Sequence, residues 1–251
     1  MNYNWNWGIF LQPASDGSGT WLWYLVTGLG WTLATALAAW AIALAVGAVV
    51  GTLRTTPMKW VVRAGDLYVE IFRNVPLIVQ MFLWFFVLPE LLPKGMGDAM
   101  KQLAPPWGSY VPAVLCLGIF TSVRVAEQVR AGIGSLPRGQ RLAGTALGLT
   151  LPQTYRYVIL PMAVRIVLPP LTSEFMNIIK NSSVALTIGL LEVTGRARAM
   201  QELTFQVFEA FTAATLIYLV VNLVVVLGMR ALEAKVRVPG FVGAAPAGGG
   251  H

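Results

Sequence analysis

Long apolar runs alternate with short polar, cation-rich segments over most of the chain. A helix needs about 20 apolar residues to cross a bilayer, and five runs approach or exceed that length. We interpret as membrane-spanning helices the residues 21–53, 76–92, 110–133, 162–190 and 211–229. Between the first two, the charged segment Arg54–Asn74 has one apolar face, which predicts an amphipathic helix at the cytoplasmic surface. The pattern therefore predicts an all-α polytopic membrane protein with about five spans.

The hydrophobic pattern divides the chain into three parts. Residues 1–20 place Trp5, Trp7 and Phe10 among polar residues, which is typical of an interfacial stub at the level of the lipid headgroups. Residues 21–238 hold all five spans and form one transmembrane domain. The Gly-, Ala- and Pro-rich residues 239–251 predict a disordered cytoplasmic tail, because they cannot bury enough apolar surface to fold.

The distribution of lysine and arginine predicts the orientation of the spans. Of the 18 such residues, eleven lie in 54–73, 130–156 and 230–237, and only four lie in 90–109 and 191–209. Because cytoplasmic loops carry the excess of cations, we expect the N-terminus outside and the C-terminus inside. These features are typical of a multi-pass protein of an inner (plasma) membrane.

Composition argues against a soluble protein and against nucleic-acid, metal or ATP binding. Charged residues make up 12% of the chain, about half their share in a soluble domain. The net charge of +7 is spread over the loops and not gathered into a patch that would attract nucleic acid. Cys116 is the single cysteine and His251 the single histidine, so we expect neither a disulfide framework nor a metal site. No G-x-x-x-x-G-K-[ST] phosphate loop occurs, and we expect no cofactor in this chain.

Charged residues inside the third span are the first candidates for function, because a charge at membrane depth is costly. Arg124 lies twelve residues after Pro112, or roughly 18 Å into the span. Thr121, Glu127 and Gln128 lie within about one helical turn of it. Two interpretations are open: Arg124 and Glu127 only neutralise each other, or Arg124 receives a carboxylate in a polar pocket. The fork of donors on an arginine suits the second.

The fourth span carries a second group of polar residues at three- and four-residue spacing, which predicts one polar helix face. Its members are Glu174, Asn177, Lys180, Asn181, Ser182 and Ser183. Pro169 and Pro170 are expected to break this helix, and broken helices at membrane depth usually line cavities. The polar face either lines a solute path with the third span or holds helices together.

The segment Leu136–Pro161, LPRGQRLAGTALGLTLPQTYRYVILP, is a polar, basic insert between the third and fourth spans. Its alternation of small residues with leucine predicts a short helix around Leu142–Leu151 that has a close-packing face. Gly148 and Pro152 are expected to end that helix. On the predicted cytoplasmic side, it suits a contact with a partner protein.

Three motifs resemble those of one transporter family. From Glu127 to Pro161 the chain resembles the EAA loop in the permease subunits of bacterial ABC importers. YVEIFRNVPLIVQMF (Tyr68–Phe82) and EFMNIIKNSSVALTIG (Glu174–Gly189) resemble signatures of the polar amino acid branch, the histidine/glutamine/glutamate permease family. NWNWGIFLQ and RVAEQVRAGIGSLPRGQ are similar to the permeases of glutamate/aspartate importers. The resemblance covers residues 20–238 and implies the fold of a type I ABC importer transmembrane domain.

The resemblance also implies which residues couple the chain to an ATPase. These are Arg141, Leu142, Ala143, Gly144, Leu147, Gly148 and Leu149. Leu142 stands where the loop usually has Glu, and Gly144 replaces its second Ala. The acidic contact is therefore missing while the helix and its glycine are kept, so we expect docking by shape and apolar packing.

The partners follow from the same resemblance, which makes the chain a translocation subunit and not an enzyme. A cytoplasmic ATPase dimer binds ATP and Mg, and a second, similar but different permease completes the path. A periplasmic binding protein delivers an acidic amino acid to the outer segments 90–109 and 191–209. Membrane lipid is a further partner, and nucleic acid is not one.

General polar amino acid permeases tend to have an aromatic residue where this chain has Arg124. An arginine there suits an acidic side chain, so the resemblance implies an acidic substrate. We expect one substrate carboxylate on Arg124 and the other on Lys180 or its neighbouring amide and hydroxyl groups. The substrate ammonium is expected on Glu127 or Glu174.

Three other functions stay open. A permease for amide or other polar amino acids would have the same fold. An ion-coupled secondary transporter normally shows an internal repeat and its own coupling carboxylates, and we see no convincing repeat. A channel or scaffold subunit would have no docking helix between the third and fourth spans.

Overall fold

The computed structural model of the protein describes residues 3–236, except for the side chains of Arg138, Arg141, Thr145 and Val236. The predicted disordered tail, 239–251, lies outside these residues. Helices dominate the described part of the chain. They are α1 (Trp21–Leu53), α2 (Lys59–Asn74), α3 (Leu77–Leu91), α4 (Lys94–Lys101), α5 (Trp107–Gly134), α6 (Arg138–Ala146), α7 (Leu151–Ile188), α8 (Val193–Thr204) and α9 (Val207–Val236), preceded by a short 3-10 helix, Trp7–Leu11.

Four of the described helices, α1, α5, α7 and α9, are long and apolar enough to cross a membrane. The pair formed by α2 and α3 passes the same test as a unit, although a bend of 100° separates its two helices. By length and composition the described residues therefore contain four candidate spans, or five if the bent pair counts as one. This agrees with the prediction of about five spans, and the outward orientation of the N-terminus stays a prediction.

Close packing between α1 and α5 depends on glycine. A Cβ atom at Gly47 would lie 2.5 Å from Cβ of Val125, and one at Gly51 would lie 2.6 Å from the carbonyl oxygen of Ala126. Any larger residue would therefore push the two helices apart. The small residues at the end of α1 thus permit close helix contact, as small residues do in membranes.

The bend between α2 and α3 is stabilised by one buried side chain. Pro76 starts α3 and has no N–H to continue the α2 ladder. The amide nitrogen of Gln80 donates to the carbonyl oxygens of Phe72 at 2.8 Å and Val75 at 2.9 Å. Two carbonyl groups at the end of α2 are thereby satisfied away from water, which membrane-embedded backbone requires.

The fourth span differs from the prediction in two ways. Its helix does not break at Pro169 and Pro170, because Leu160–Asn181 is one α-helix through both residues. The irregular geometry lies instead at its ends, as a π turn at Tyr155–Ile159 and a 3-10 turn at Ser182–Ile188. The span also begins at Leu151, so the last part of the basic insert is helical and continuous with the span.

The segment 191–209, which we predict to lie outside, is mostly helical, because α8 fills Val193–Thr204. Fully buried Glu192 caps α8 by accepting from the backbone N–H groups of Thr194 at 3.0 Å and Gly195 at 2.7 Å. The hydroxyl of Tyr218 in α9 donates to the same carboxylate at 2.7 Å. Burial raises the pKa of Glu192, although these hydrogen bonds oppose the shift.

The N-terminal stub packs against the rest of the chain. Glu209, in the first turn of α9, is fully buried and accepts hydrogen bonds from the hydroxyl of Tyr3 and, at 2.8 Å, from the backbone N–H of Asn6. Ile9 and Trp21 belong to a buried cluster that includes residues of α8 and α9. The described part of the stub is therefore packed against α8 and the first turns of α9.

Candidate substrate path and coupling loop

The structure brings Arg124 and Glu174 together across α5 and α7. A terminal guanidinium nitrogen of Arg124 lies 3.7 Å from Oε2 of Glu174, and the guanidinium carbon lies 5.6 Å from the centre of the Phe120 ring. The Arg124 side chain is 49% exposed although its neighbours Val123 and Val125 are buried. A half-exposed arginine in the interior of a spanning helix marks a surface that lipid tails do not suit.

In this ion pair, Glu174 has one carboxylate oxygen that accepts no hydrogen bond from residues 3–236. Its side chain is only 10% exposed, and within the described residues its Oε2 atom has no hydrogen-bond partner. A separation of 3.7 Å is too long for a hydrogen bond, so the ion pair leaves that oxygen free to accept from another donor. A buried acceptor without a donor costs stability, and an ammonium group could satisfy it.

Glu127 does not pair with Arg124, so the first of the two interpretations is wrong. Its Oε1 accepts from Arg54 at 2.6 Å, and Asp66 of α2 accepts from the same guanidinium at 2.8 Å. The Arg54 side chain is 4% exposed and packs against Gly65, where a Cβ would lie 2.5 Å from Arg54 Cγ. Glu127 is therefore engaged with a cation of this chain and is poorly placed to hold a substrate ammonium.

Arg54 was missed by sequence reasoning, which counted it only as a cytoplasmic cation. Burial by itself lowers the pKa of Arg54, but the hydrogen bonds to Glu127 and Asp66 outweigh burial and raise it. The guanidinium stays charged and ties the end of α1 to α2 and α5. The only sequence signal for this role is its position, directly after the uncharged first span.

The other predicted binding residues differ in access. Thr121 is 2% exposed, Gln128 and Asn177 are half-buried, and Lys180 is exposed. Ser182 is fully buried, and its hydroxyl donates to the carbonyl oxygen of Ile179 at 2.7 Å. The hydroxyl of Ser183 donates in the same way to Lys180 at 2.7 Å. Both serines thus serve the transition from α-helix to 3-10 turn.

A cavity of about 780 Å³ opens at the predicted outer face, away from Arg124. It lies between the end of α3, α4, the start of α5 and the start of α8. Its lining combines aromatic and charged side chains, including Trp31, Phe85, Glu90, Lys101 and Arg196. Its volume suits a small molecule, and nothing in the hydrophobic pattern indicated it.

The helix of the basic insert is α6, which lies earlier than predicted. It runs over Arg138–Ala146, whereas the prediction placed the helix around Leu142–Leu151. Gly148 follows it with φ of +75°, and the N–H of Leu149 donates to the carbonyl of Gly144 at 3.0 Å. This is the glycine-terminated helix end that the sequence predicted. Leu151 instead begins α7.

The surface of this loop is apolar and open. Leu142 is 67% and Leu147 is 77% exposed. Ala143 and Gly148 are also exposed and Leu149 is half-buried, while the side chain of Arg141 lies outside the described structure. Buried Gly144 packs against α7, since a Cβ there would lie 2.7 Å from Cγ2 of Thr154. The departure from alanine at this position is thus explained by close contact with Thr154.

The chain matches known transport proteins over nearly its whole length. Residues 43–238 match the family described as "Binding-protein-dependent transport system inner membrane component". The chain is 50% identical over 244 residues to the glutamate/aspartate import permease protein GltJ of Escherichia coli K12, covering 97% of this chain and 99% of that protein. It is 32% identical over 209 residues to the probable glutamine ABC transporter permease protein GlnM of Bacillus subtilis 168, covering 82% and 90%.

Solved structures show the same fold. A crystal structure of an amino acid ABC transporter with histidines superposes with a TM-score of 0.73 at 28% identity, over 86% of this chain and 95% of that chain. The inward-facing methionine ABC transporter MetNI gives 0.72 at 20% identity, over 86% and 98%. These relatives are permease subunits or ABC transporters, in which ATP hydrolysis belongs to a separate subunit. The chain therefore belongs to the family of binding-protein-dependent transport system inner membrane components, as an amino acid ABC permease with a type I importer fold.

Proposed function

We propose that this chain is the membrane-spanning subunit of an ATP-driven importer of glutamate and aspartate. The observation that carries the substrate assignment is the half-exposed Arg124, which faces a buried carboxylate oxygen that has no donor among the described residues. The 50% identity to an Escherichia coli permease for the same two substrates supports it, against 32% for a probable glutamine permease.

The charges of the site complement an acidic amino acid. Arg124 and Lys180 contribute two positive charges and Glu174 one negative charge, and a glutamate zwitterion carries the opposite balance. One substrate carboxylate binds the guanidinium of Arg124, where two parallel hydrogen bonds are available. The ammonium binds Oε2 of Glu174, and the second carboxylate lies toward Lys180 and Asn177. An amide side chain would leave one cation unpaired, which disfavours glutamine.

Coupling uses the apolar surface of α6 and the residues after it. The exposed side chains of Leu142 and Leu147 enter a groove of the cytoplasmic ATPase, which itself binds ATP and Mg. Ala143, Gly148 and Leu149 keep the loop narrow enough to fit. Closure of the ATPase dimer then moves α6 as a rigid body and alternates access to the path. Docking through Leu142 and Leu147 requires no charged side chain on this chain, which fits the replacement of the usual Glu by Leu142.

The assembly follows the family pattern, with a second permease, an ATPase pair and a binding protein. The exposed polar face around Arg124 and Lys180 requires a protein partner or water, because contact with lipid tails is too costly. We assign that cover to a second, similar but different permease. The binding protein docks at the outer segments 90–109 and 191–209, next to the 780 Å³ cavity, with the N-terminus on the same side.

The test is uptake into proteoliposomes that contain this permease, its partner permease and the ATPase, with binding protein outside and ATP inside. Initial rates are measured for labelled glutamate, aspartate, glutamine and asparagine. We expect uptake of the two acids to exceed that of the two amides by at least tenfold and to stop without ATP. Uptake that persists without the ATPase would identify an ion-coupled transporter, and equal rates for amides would refute the substrate assignment.

A further inference from the structure

Helix α2 buries one face and leaves a second apolar stripe without a partner in the described structure. On the buried face, Val69 packs with Val123 and Ala126 of α5. On the opposite side, Trp60 is 74%, Leu67 is 58% and Ile71 is 51% exposed. At about 100° per residue these three positions fall within roughly 40° of one another. They form a continuous apolar line, which we call the α2 stripe.

Unpaired cations flank the α2 stripe. Lys59, Arg63 and Arg73 are exposed, and none of them makes an ion pair within residues 3–236. Asp66 is engaged by Arg54, which leaves Glu70 as the acid on this flank. The exposed part of α2 therefore has an excess of two positive charges next to its apolar line.

The bend to α3 fixes how the α2 stripe is presented. The apolar residues of the second predicted span lie in α3, so the 100° bend directs the charged helix α2 away from the span axis and toward the membrane plane. The ion pair of Arg54 with Asp66, together with the 2.7 Å hydrogen bond between Tyr68 and Ser122, holds the helix in that direction. The same contacts place it beside the inner ends of α1 and α5.

We propose that the α2 stripe and its cations form a binding surface for anionic phospholipid in the cytoplasmic leaflet. A helix that lies in the interface plane needs an apolar face of this kind with cations along its edge. Each lysine or arginine near the surface favours anionic over neutral lipid by roughly fivefold. Lipid phosphates would satisfy the flanking cations, which make no ion pair within residues 3–236.

The first experiment measures lipid contact directly. A cysteine replaces Leu67 in the assembled importer and carries an environment-sensitive fluorophore; native Cys116 is buried and does not label. The complex is reconstituted with equal fractions of brominated phosphatidylglycerol or brominated phosphatidylcholine. We expect phosphatidylglycerol to quench the probe at least fivefold more effectively. At Leu223, which is 54% exposed on α9, the matched probe is expected to be quenched equally by both.

The second experiment removes the charges. With the probe at position 67, the double variant Lys59→Gln/Arg63→Gln is expected to lower the quenching preference about fivefold or more. The matched control Lys94→Gln/Arg198→Gln removes two exposed cations of α4 and α8 and is expected to leave the preference unchanged. An unquenched probe in the wild-type complex would mean that protein covers the stripe. Either that result or equal quenching by the two lipids overturns the proposal, whatever the substrate of transport.

Discussion

Two arginines of this permease face glutamate side chains and are paired to very different degrees. Arg54 is 4% exposed and binds Asp66 and Glu127 at 2.8 and 2.6 Å. Arg124 is 49% exposed and approaches Glu174 only to 3.7 Å. A buried arginine with all its charge matched fixes the helices around it. A half-exposed arginine with one loose partner keeps donors available for a ligand.

The difference also explains why charge alone does not identify a site. Both arginines adjoin or lie in apolar runs, and each has an acid within reach. Breaking a tight buried pair leaves charges unsolvated and costs stability. Breaking a loose pair whose arginine already meets solvent costs little stability but removes a binding group. A substitution at Arg54 should therefore lower mainly the stability of the protein, whereas a substitution at Arg124 should lower mainly the rate of transport.

The largest effect is expected for Arg124→Ala. Loss of the group that we propose binds a substrate carboxylate should lower glutamate uptake at least 100-fold, which corresponds to about 2.7 kcal/mol. The melting temperature of the detergent-purified complex should stay within about 2 °C, because the side chain is half exposed. Arg124→Lys keeps the charge without the fork and should retain part of the rate. Wild-type uptake by Arg124→Ala would end the substrate assignment.

Arg54→Ala should show the opposite pattern. It leaves Asp66 and Glu127 unpaired, and we expect a loss of about 2 kcal/mol in stability, below the usual cost of breaking a buried pair because both acids are partly exposed. Thermal melts of the purified complex measure it. Adding Glu127→Gln should restore part of the loss, as residues of one network do not add independently. An unchanged melting temperature would contradict the structural role.

Glu174→Gln is expected to have an intermediate effect on transport. The amide keeps the size of the side chain but loses the charge that holds the substrate ammonium, so uptake should fall about tenfold, or roughly 1.4 kcal/mol. Glu127→Gln provides the matched control, since it removes a charge of the same type from α5, one turn from Arg124. That control should lower stability and leave the substrate preference intact. Equal transport defects in both variants would show that the two acids do not differ in role.

The smallest effect concerns Glu192, a buried acid that is matched by hydrogen-bond donors and no cation. Its folded-state pKa is raised above the ordinary 4.5 by burial. The protonated form therefore contributes stability that is complete below pH 4.5 and is lost as the pH rises through the folded-state pKa. Glu192→Gln should flatten this slope and change stability at pH 7 by less than about 1 kcal/mol. Melting temperatures between pH 4.5 and 7 test it, and an identical slope in the variant would contradict the assignment.

The spans and the coupling glycine could be predicted from the sequence because their causes are local. Apolar length decides where a helix can cross the membrane, and Gly148 ends α6 through its own backbone conformation, with φ of +75°. The first and last residues of the helices were less predictable. The continuation of the helix through Pro169 depends on packing that no local rule contains.

The partner of each buried charge could not be predicted, because it depends on which helices become neighbours. Sequence spacing left Glu127, one turn away on the same helix, open as a partner of Arg124. The structure pairs Glu127 with Arg54, 73 residues distant, and pairs Arg124 with Glu174 of α7. Spacing along one helix says nothing about the distance to another helix.

The length of α1 has a consequence for the membrane around the protein. Its 33 uncharged residues make a rod about 50 Å long, while the hydrocarbon core of a bilayer is roughly 30 Å thick. The glycine contacts with α5 prevent it from moving independently of the bundle. The mismatch must therefore be absorbed by tilt, by protrusion of its ends or by local thickening of the bilayer. Transport rates in bilayers of different acyl-chain length should accordingly pass through a maximum.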